Sequence, residues 1–257
     1  MESKIPEFIN KFFDQEIIDP LCQFVSMPGV SPMFDPEWKT NKNLEKICDF
    51  IIDWFKKQNL TGAKIEKVQD ENKSPLLFIE VPPTDPQCEK TLLMYAHMDT
   101  YPLCEKDGWD EGLGPLKPVI KDGKLYGRGS VDDGYAFFSM GAAIKCIQSF
   151  NGKHPRIVIL VESDEEGYRK DIGYYLDAYK EKIGKVDVII CLDSDANDTQ
   201  RVWLTTSIRG IIKCTMKIKL LKRPLHSGIV GGVVPDITLV ARKLLNRIEN
   251  IETGKMA

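Results

Sequence analysis

A chain of 257 residues, 42% hydrophobic and 28% charged, carries enough apolar material for one large core with a smaller second unit, which excludes a disordered or fibrous polypeptide. Its 35 basic and 38 acidic residues leave a formal charge of -3, so no field suits nucleic acid or anionic lipid and a small or peptide-like ligand is the default. No run approaches the roughly 20 apolar residues of a membrane-spanning helix.

Residues 4 to 25 carry a helical apolar period that SMPGVSPMFDPEW, dense in Pro and Gly, interrupts. In NLEKICDFIIDWFKKQ, Leu44, Ile47, Phe50, Ile51, Trp54 and Phe55 recur at steps of three and four, the stripe of a buried helix face. AKIEKV, LLFIEV and TLLMYAH read as strands separated by the turn-rich ENKSP and PPTDPQ. The stretch from Tyr101 to Gly129 is loop-like, with a hairpin turn at Asp122 and Gly123. A helix is predicted from Gly134 to Phe150. Strand RIVILVE, helix GYYLDAYKEKI and strand VDVIICLD then make a β-α-β unit, whose parallel pairing directs binding to the strands' carboxyl ends. Beyond RVWLTTSIRG, GIIKCTMKIKLL alternates as a half-exposed strand, LHSGIVGGVVPD reads as a turn, and ITLVARKLLNRIENI as an amphipathic helix. The pattern is α/β: a mixed, mostly parallel sheet flanked by helices over residues 1–207, and the start of a smaller α+β unit over 208–257.

Four segments put metal-type side chains at the ends of these elements. His97 and Asp99, two apart in YAHMDT, project to one face; a neutral imidazole is a common zinc ligand and a nearby carboxylate commonly orients it, although an isolated pair fits a solvated strand end equally well. Asp132 and Asp133 precede a helix, where one carboxylate can cap exposed N–H groups; GRGS before them gives flexible backbone that also lets Asp132 approach an ion. Glu165 and Glu166 in ESDEEG repel each other unless a cation neutralises one, or else form a solvated acidic turn. Asp193 closes an almost wholly apolar run at the same sheet edge.

AHMDTYP, GRGSVDDG, the EE of ESDEEG, the LDS of CLDSD, WLTTSIRG and LHSGIVGG, in that order, resemble the zinc aminoacylase and carboxypeptidase family that includes carnosine-type dipeptidases, glutamate carboxypeptidases and succinyl-diaminopimelate desuccinylases. The resemblance runs from about SPMFDPEW onward. It implies that His97, Asp132, Glu166 and Asp193 bind two zinc ions, with Asp132 shared, and that manganese or cobalt would also suit the set. It implies that Asp99 orients the site, that Glu165 is the general base, and that His226, in a lid domain, reaches across a homodimer to the substrate carbonyl.

The implied activity is hydrolysis of amide bonds in dipeptides or N-acyl amino acids through a metal-activated water. Two departures stand out. The commoner family pattern has Lys then Gly where this chain has Gly134 and Tyr135. Family members also use a second ligand histidine late in the catalytic domain, whereas this chain holds His97, His154 and His226, and His154 reads as a surface residue. The expectation is therefore an N-terminal portion of a longer enzyme, and the alternative is a catalytically incomplete chain of the same fold that serves binding or dimerisation. Seven scattered cysteines without C-x-x-C spacing, and an N-terminus without a signal-peptide pattern, place it in the cytoplasm, with no membrane or nucleic-acid partner.

Overall fold

Proline decides the shape of the first helical segment. In a computed structural model that describes residues 4–104, 108–167, 171–194, 196–198 and 200–256, helix α1 (Ile5–Phe12) passes through a π turn at Phe13–Ile17 into α2 (Ile18–Val25). Pro20 has no N–H to return to the Glu16 carbonyl, so an uninterrupted α ladder fails there. The Trp54 indole N–H donates to that carbonyl instead, at 2.7 Å. The single helix expected over residues 4 to 25 is thus three joined pieces.

A short helix α3 (Trp38–Asn41) leads into α4 (Asn43–Gln58), which ends on Asn59 in the left-handed conformation with φ 53°. Its stripe buries Leu44, Ile47, Cys48, Ile51, Trp54 and Phe55. The Trp54 ring meets Phe12, Phe55 and Phe138 edge-on at centroid distances of 6.5, 5.1 and 4.9 Å.

Strands β1 (Lys64–Val68), β2 (Leu76–Val81) and β3 (Thr91–His97) follow, then a hairpin of β4 (Val119–Lys121) and β5 (Lys124–Tyr126). Asp122 and Gly123, at φ 52° and 72°, supply the two left-handed residues that such a turn requires. Helix α5 (Gly134–Ser149), strand β6 (Arg156–Glu162), helices α6 (Asp171–Ala178) and α7 (Lys180–Ile183), and strand β7 (Val188–Cys191) complete the unit.

The main sheet has the order β1-β2-β6-β3-β7. β3 lies parallel to both β6 and β7, while β2 is antiparallel to β6 and to β1, so four of the five strands share one direction. Alternation along β6 sends Ile157, Ile159 and Val161 to a core shared with α4 and α5 residues, and Val158 and Leu160 to a second core with Tyr175 and Ile183. Helices therefore cover both faces, as in other α/β domains. β7 sits at the sheet's edge with all four residues exposed.

The chain divides into two compact units, Met1–Trp203 and Leu204–Ala257. In the second, α8 (Ser227–Val230) and α9 (Ile237–Leu245) form, each with a side-chain N-cap, from His226 and Asp236. GIIKCTMKIKLL is not a strand: residues 204–221 carry no regular secondary structure and pair with no strand among the described residues, and alternation alone cannot satisfy backbone N–H and C=O groups. Helix α9 also stops earlier than expected, giving way to turns after Leu245. Among the described residues, no helix is long and apolar enough to cross a membrane.

Candidate metal centre

The parallel strands β6, β3 and β7 end at one edge of the sheet, and the acidic segments converge there. His97 is the last residue of β3 and is fully buried. Its Nε2 lies 3.0 Å from Asp132 Oδ1, and its Nδ1 lies 3.0 Å from the Asp99 carbonyl and 3.4 Å from Asp99 Oδ1. Asp193 follows β7 by two residues. One ligand atom each from His97, Asp132 and Asp193 falls within 4.8 Å of the others. Asp132 and Asp193 also line a small cleft of about 170 Å3 with Val131 and Ser194.

Asp99 lies just beyond β3 rather than on it, and it organises the neighbouring turn. Fully buried, its two carboxylate oxygens accept the backbone N–H groups of Glu165 and Glu166, at 3.3 and 3.2 Å. The same residue that borders the His97 ring thus holds the acidic pair that follows β6. Both glutamates are half-buried. Glu166 does not join the three-residue group among the described residues, but Asp132 is the charge that most perturbs it.

Asp133 occupies the N-cap position of α5 without capping it. Its Oδ2 accepts the His97 backbone N–H at 3.1 Å, and its Oδ1 is buried without a hydrogen-bond partner. Gly134 is enforced by packing: a Cβ there would stand 2.3 Å from the Gly129 carbonyl oxygen and 2.6 Å from the Phe24 ring. A lysine cannot occupy that position in this backbone. Tyr135 instead turns its hydroxyl to the Leu192 carbonyl, at 2.8 Å.

The electrostatics fit a cation. Burial pushes the Asp133 carboxyl up to about 8 and the Glu166 carboxyl up to about 7, and it also raises Glu165. Burial works against a charged His97, yet its hydrogen bonds to Asp132 and Asp99 and the surrounding carboxylates raise the imidazole to about 12. A site where carboxyls retain protons and an imidazole attracts one is short of positive charge. One imidazole and several carboxylates form a donor set suited to zinc or manganese.

Sequence patterns did not single out Glu162 and Tyr95. Glu162, in register with His97 across the parallel pair, is buried and accepts the Tyr95 hydroxyl at 2.5 Å. Burial raises its carboxyl to about 7. The signal was present, because Tyr95 shares a strand face with His97 and Glu162 opens the ESDEEG motif.

His226, in the second unit, is exposed, and its Nδ1 accepts the Gly228 N–H at 3.0 Å. In the neutral ring the proton then sits on Nε2, which is left as a donor. His154 is buried rather than on the surface: its backbone N–H donates to Thr84 Oγ1, and its Nδ1 to the Pro155 carbonyl. It borders a pocket of about 460 Å3 with Pro82, Thr84 and Gln148, at the opposite end of β6 from the carboxylates.

A family model described as peptidase family M20/M25/M40 matches residues 93–242. The Cys-Gly metallodipeptidase dug1 of Schizosaccharomyces pombe is 29% identical over 251 residues, covering 93% of this chain and 50% of the relative. The Beta-Ala-His dipeptidase of Rattus norvegicus is 28% identical over 252 residues, covering 93% and 49%. Among solved structures, human carnosine dipeptidase 1 superposes with a TM-score of 0.70 at 20% identity, over 99% of this chain and 54% of that one. The dipeptidase Dug1p from Saccharomyces cerevisiae gives 0.66 at 22%, over 99% and 53%. The chain spans about half the length of the curated relatives it matches.

Proposed function

The chain belongs to peptidase family M20/M25/M40, and on that basis we propose that it carries the metal centre of a hydrolase that cleaves dipeptides or N-acyl amino acids at the amide bond. The observation that carries this reading is the convergence of His97, Asp132 and Asp193 within 4.8 Å at the carboxyl ends of parallel strands. In this reading the three residues hold one zinc ion, and Asp132 with Glu166 contributes to a second. Bound there, zinc supplies Lewis-acid polarisation of the scissile carbonyl and makes water acidic near neutral pH.

The remaining chemistry belongs to side chains. Asp99 fixes the His97 ring from its Nδ1 side and holds the Glu165–Glu166 backbone, so ligand and base keep a constant spacing. Glu165 accepts the proton of the attacking water on its carboxylate and returns it to the leaving nitrogen; burial raises its affinity for that proton toward the working range. His226 of a partner copy in a homodimer would donate its Nε2–H to the developing oxyanion. Residues 208–257 then act as lid and residues 1–207 as the catalytic domain. All seven cysteines are free, as suits the cytoplasm.

The test is Glu165→Gln with zinc content and dipeptide hydrolysis measured together. The expected result is unchanged metal with turnover lowered by at least about 100-fold. Retained turnover would remove Glu165 from the mechanism, and a wild-type chain that binds zinc without hydrolysing any dipeptide would favour a binding role for this fold.

A further inference from the structure

We infer that Tyr135 is a positioning residue for the metal ligands, acting through the backbone of Leu192; this rests on the metal-centre reading above. Leu192 is the residue between the last residue of β7 and Asp193. Its N–H donates to the Tyr95 carbonyl on β3 at 3.1 Å, and its own carbonyl accepts the Tyr135 hydroxyl at 2.8 Å. The peptide that delivers Asp193 is thus tied on one side to the strand carrying His97, and on the other to the helix that begins just after Asp132.

The need for such a tie follows from the sheet. β7 pairs with β3 through Leu92–Tyr95 and lies exposed at the edge of the sheet, with Val188, Ile189 and Ile190 at 55, 65 and 42% of full exposure. Strand pairing therefore restrains the approach to Asp193 from the β3 side. The Tyr135 hydroxyl adds a restraint from a different element, the rigid first turn of α5. The resulting ring is short, running from Asp132 through Asp133, Gly134 and Tyr135 to Leu192 and Asp193. It sets the separation of the two ligand carboxylates, while Asp133 fixes the third ligand by holding the His97 N–H. Because crowding against Gly129 and Phe24 excludes any side chain at residue 134, the tie falls to residue 135.

Cobalt(II) is the probe, because its visible absorption reports ligand geometry independently of turnover. The comparison is the 257-residue chain against Tyr135→Phe, which keeps the ring and deletes one oxygen, and against Tyr174→Phe, which deletes an exposed hydroxyl bonded to Asp70. Tyr135→Phe should weaken cobalt binding about tenfold, the lower end of what partners of metal ligands contribute. Its cobalt absorption bands should shift while the melting temperature of the metal-free chain stays close to wild type, and Tyr174→Phe should match wild type in both binding and spectrum. Wild-type affinity and spectrum in Tyr135→Phe would overturn the positioning role and leave the metal centre standing. Failure of the wild-type chain to bind cobalt would overturn the metal-centre reading, and the positioning role with it.

Discussion

Two glycine-to-alanine substitutions in helices should move stability in opposite directions. At Gly134 the new Cβ would lie 2.3 Å from the Gly129 carbonyl oxygen and 2.6 and 2.7 Å from two Phe24 ring atoms. The oxygen is backbone, and Phe24 is itself buried against Phe137 at a ring distance of 5.2 Å, so neither yields freely. Overpacking of this kind costs about 1–3 kcal/mol, and alanine's helix preference returns at most about 1 kcal/mol. Even with the full return subtracted, the net loss reaches about 2 kcal/mol, which lowers the melting temperature by up to roughly 8 °C for a unit of this size. At Gly173, inside α6, nothing lies within 4 Å of the added carbon, so the same change should stabilise by about 0.4–1 kcal/mol through the unfolded chain. Thermal melts of the two variants beside wild type, with metal removed by chelation, are the assay. A Gly134→Ala chain that melts at or above wild type would show that the turn after Asp132 relaxes without cost, and would refute the packing argument.

Asp193→Asn should weaken zinc binding by more than the roughly 10–100-fold that an outer partner contributes, with little change in the melting temperature of the metal-free chain; calorimetric titration reads the first and a thermal melt the second. Phe55→Ala, at a fully buried ring in the core beneath Trp54, should cost about 3–5 kcal/mol, read as a lower urea midpoint. Asp187 accepts Lys90 Nζ at 2.8 Å and the Thr91 N–H at 2.9 Å, and the Lys90 hydrogen bond holds its carboxyl below the usual range. A depressed folded value means that stabilisation is present above the unfolded pKa of about 4 and is lost as pH falls through the folded one. The melting-temperature gap between wild type and Asp187→Asn should therefore be present at pH 6 and close under acid, whereas a gap independent of pH would rule out the charge as its source.

Periodicity carried the sequence reading where an element's own residues settle its fate. β2, β3 and β6 occupy the segments LLFIEV, TLLMYAH and RIVILVE because buried strands are continuous apolar runs. The meeting of His97, Asp132 and Asp193 was legible for the same reason: strand ends in a parallel sheet share an edge, so side chains placed there meet. What local pattern cannot show is a bond formed by a distant partner. The Glu16 carbonyl that Pro20 leaves without its helical partner is taken by Trp54, 38 residues further on. Asp133 reads as a helix cap until His97 presents a backbone N–H to it. His154 followed by Pro155 reads as a surface loop, yet Thr84, 70 residues away, encloses it. Residues 210–221 show the converse case, alternation with no neighbouring strand among the described residues to complete it.

The reversal of β2 within an otherwise unidirectional sheet separates two duties of the surface. Because Val81 pairs with Ile157 at the start of β6, the connection from β2 to β3 emerges at the pole opposite His97 and Asp193. That connection, PPTDPQCEK, is largely exposed. It is where added sequence would disturb the chemistry least, so an affinity tag or reporter domain inserted near Asp85 offers a way to immobilise the molecule with its acidic edge left open to solvent.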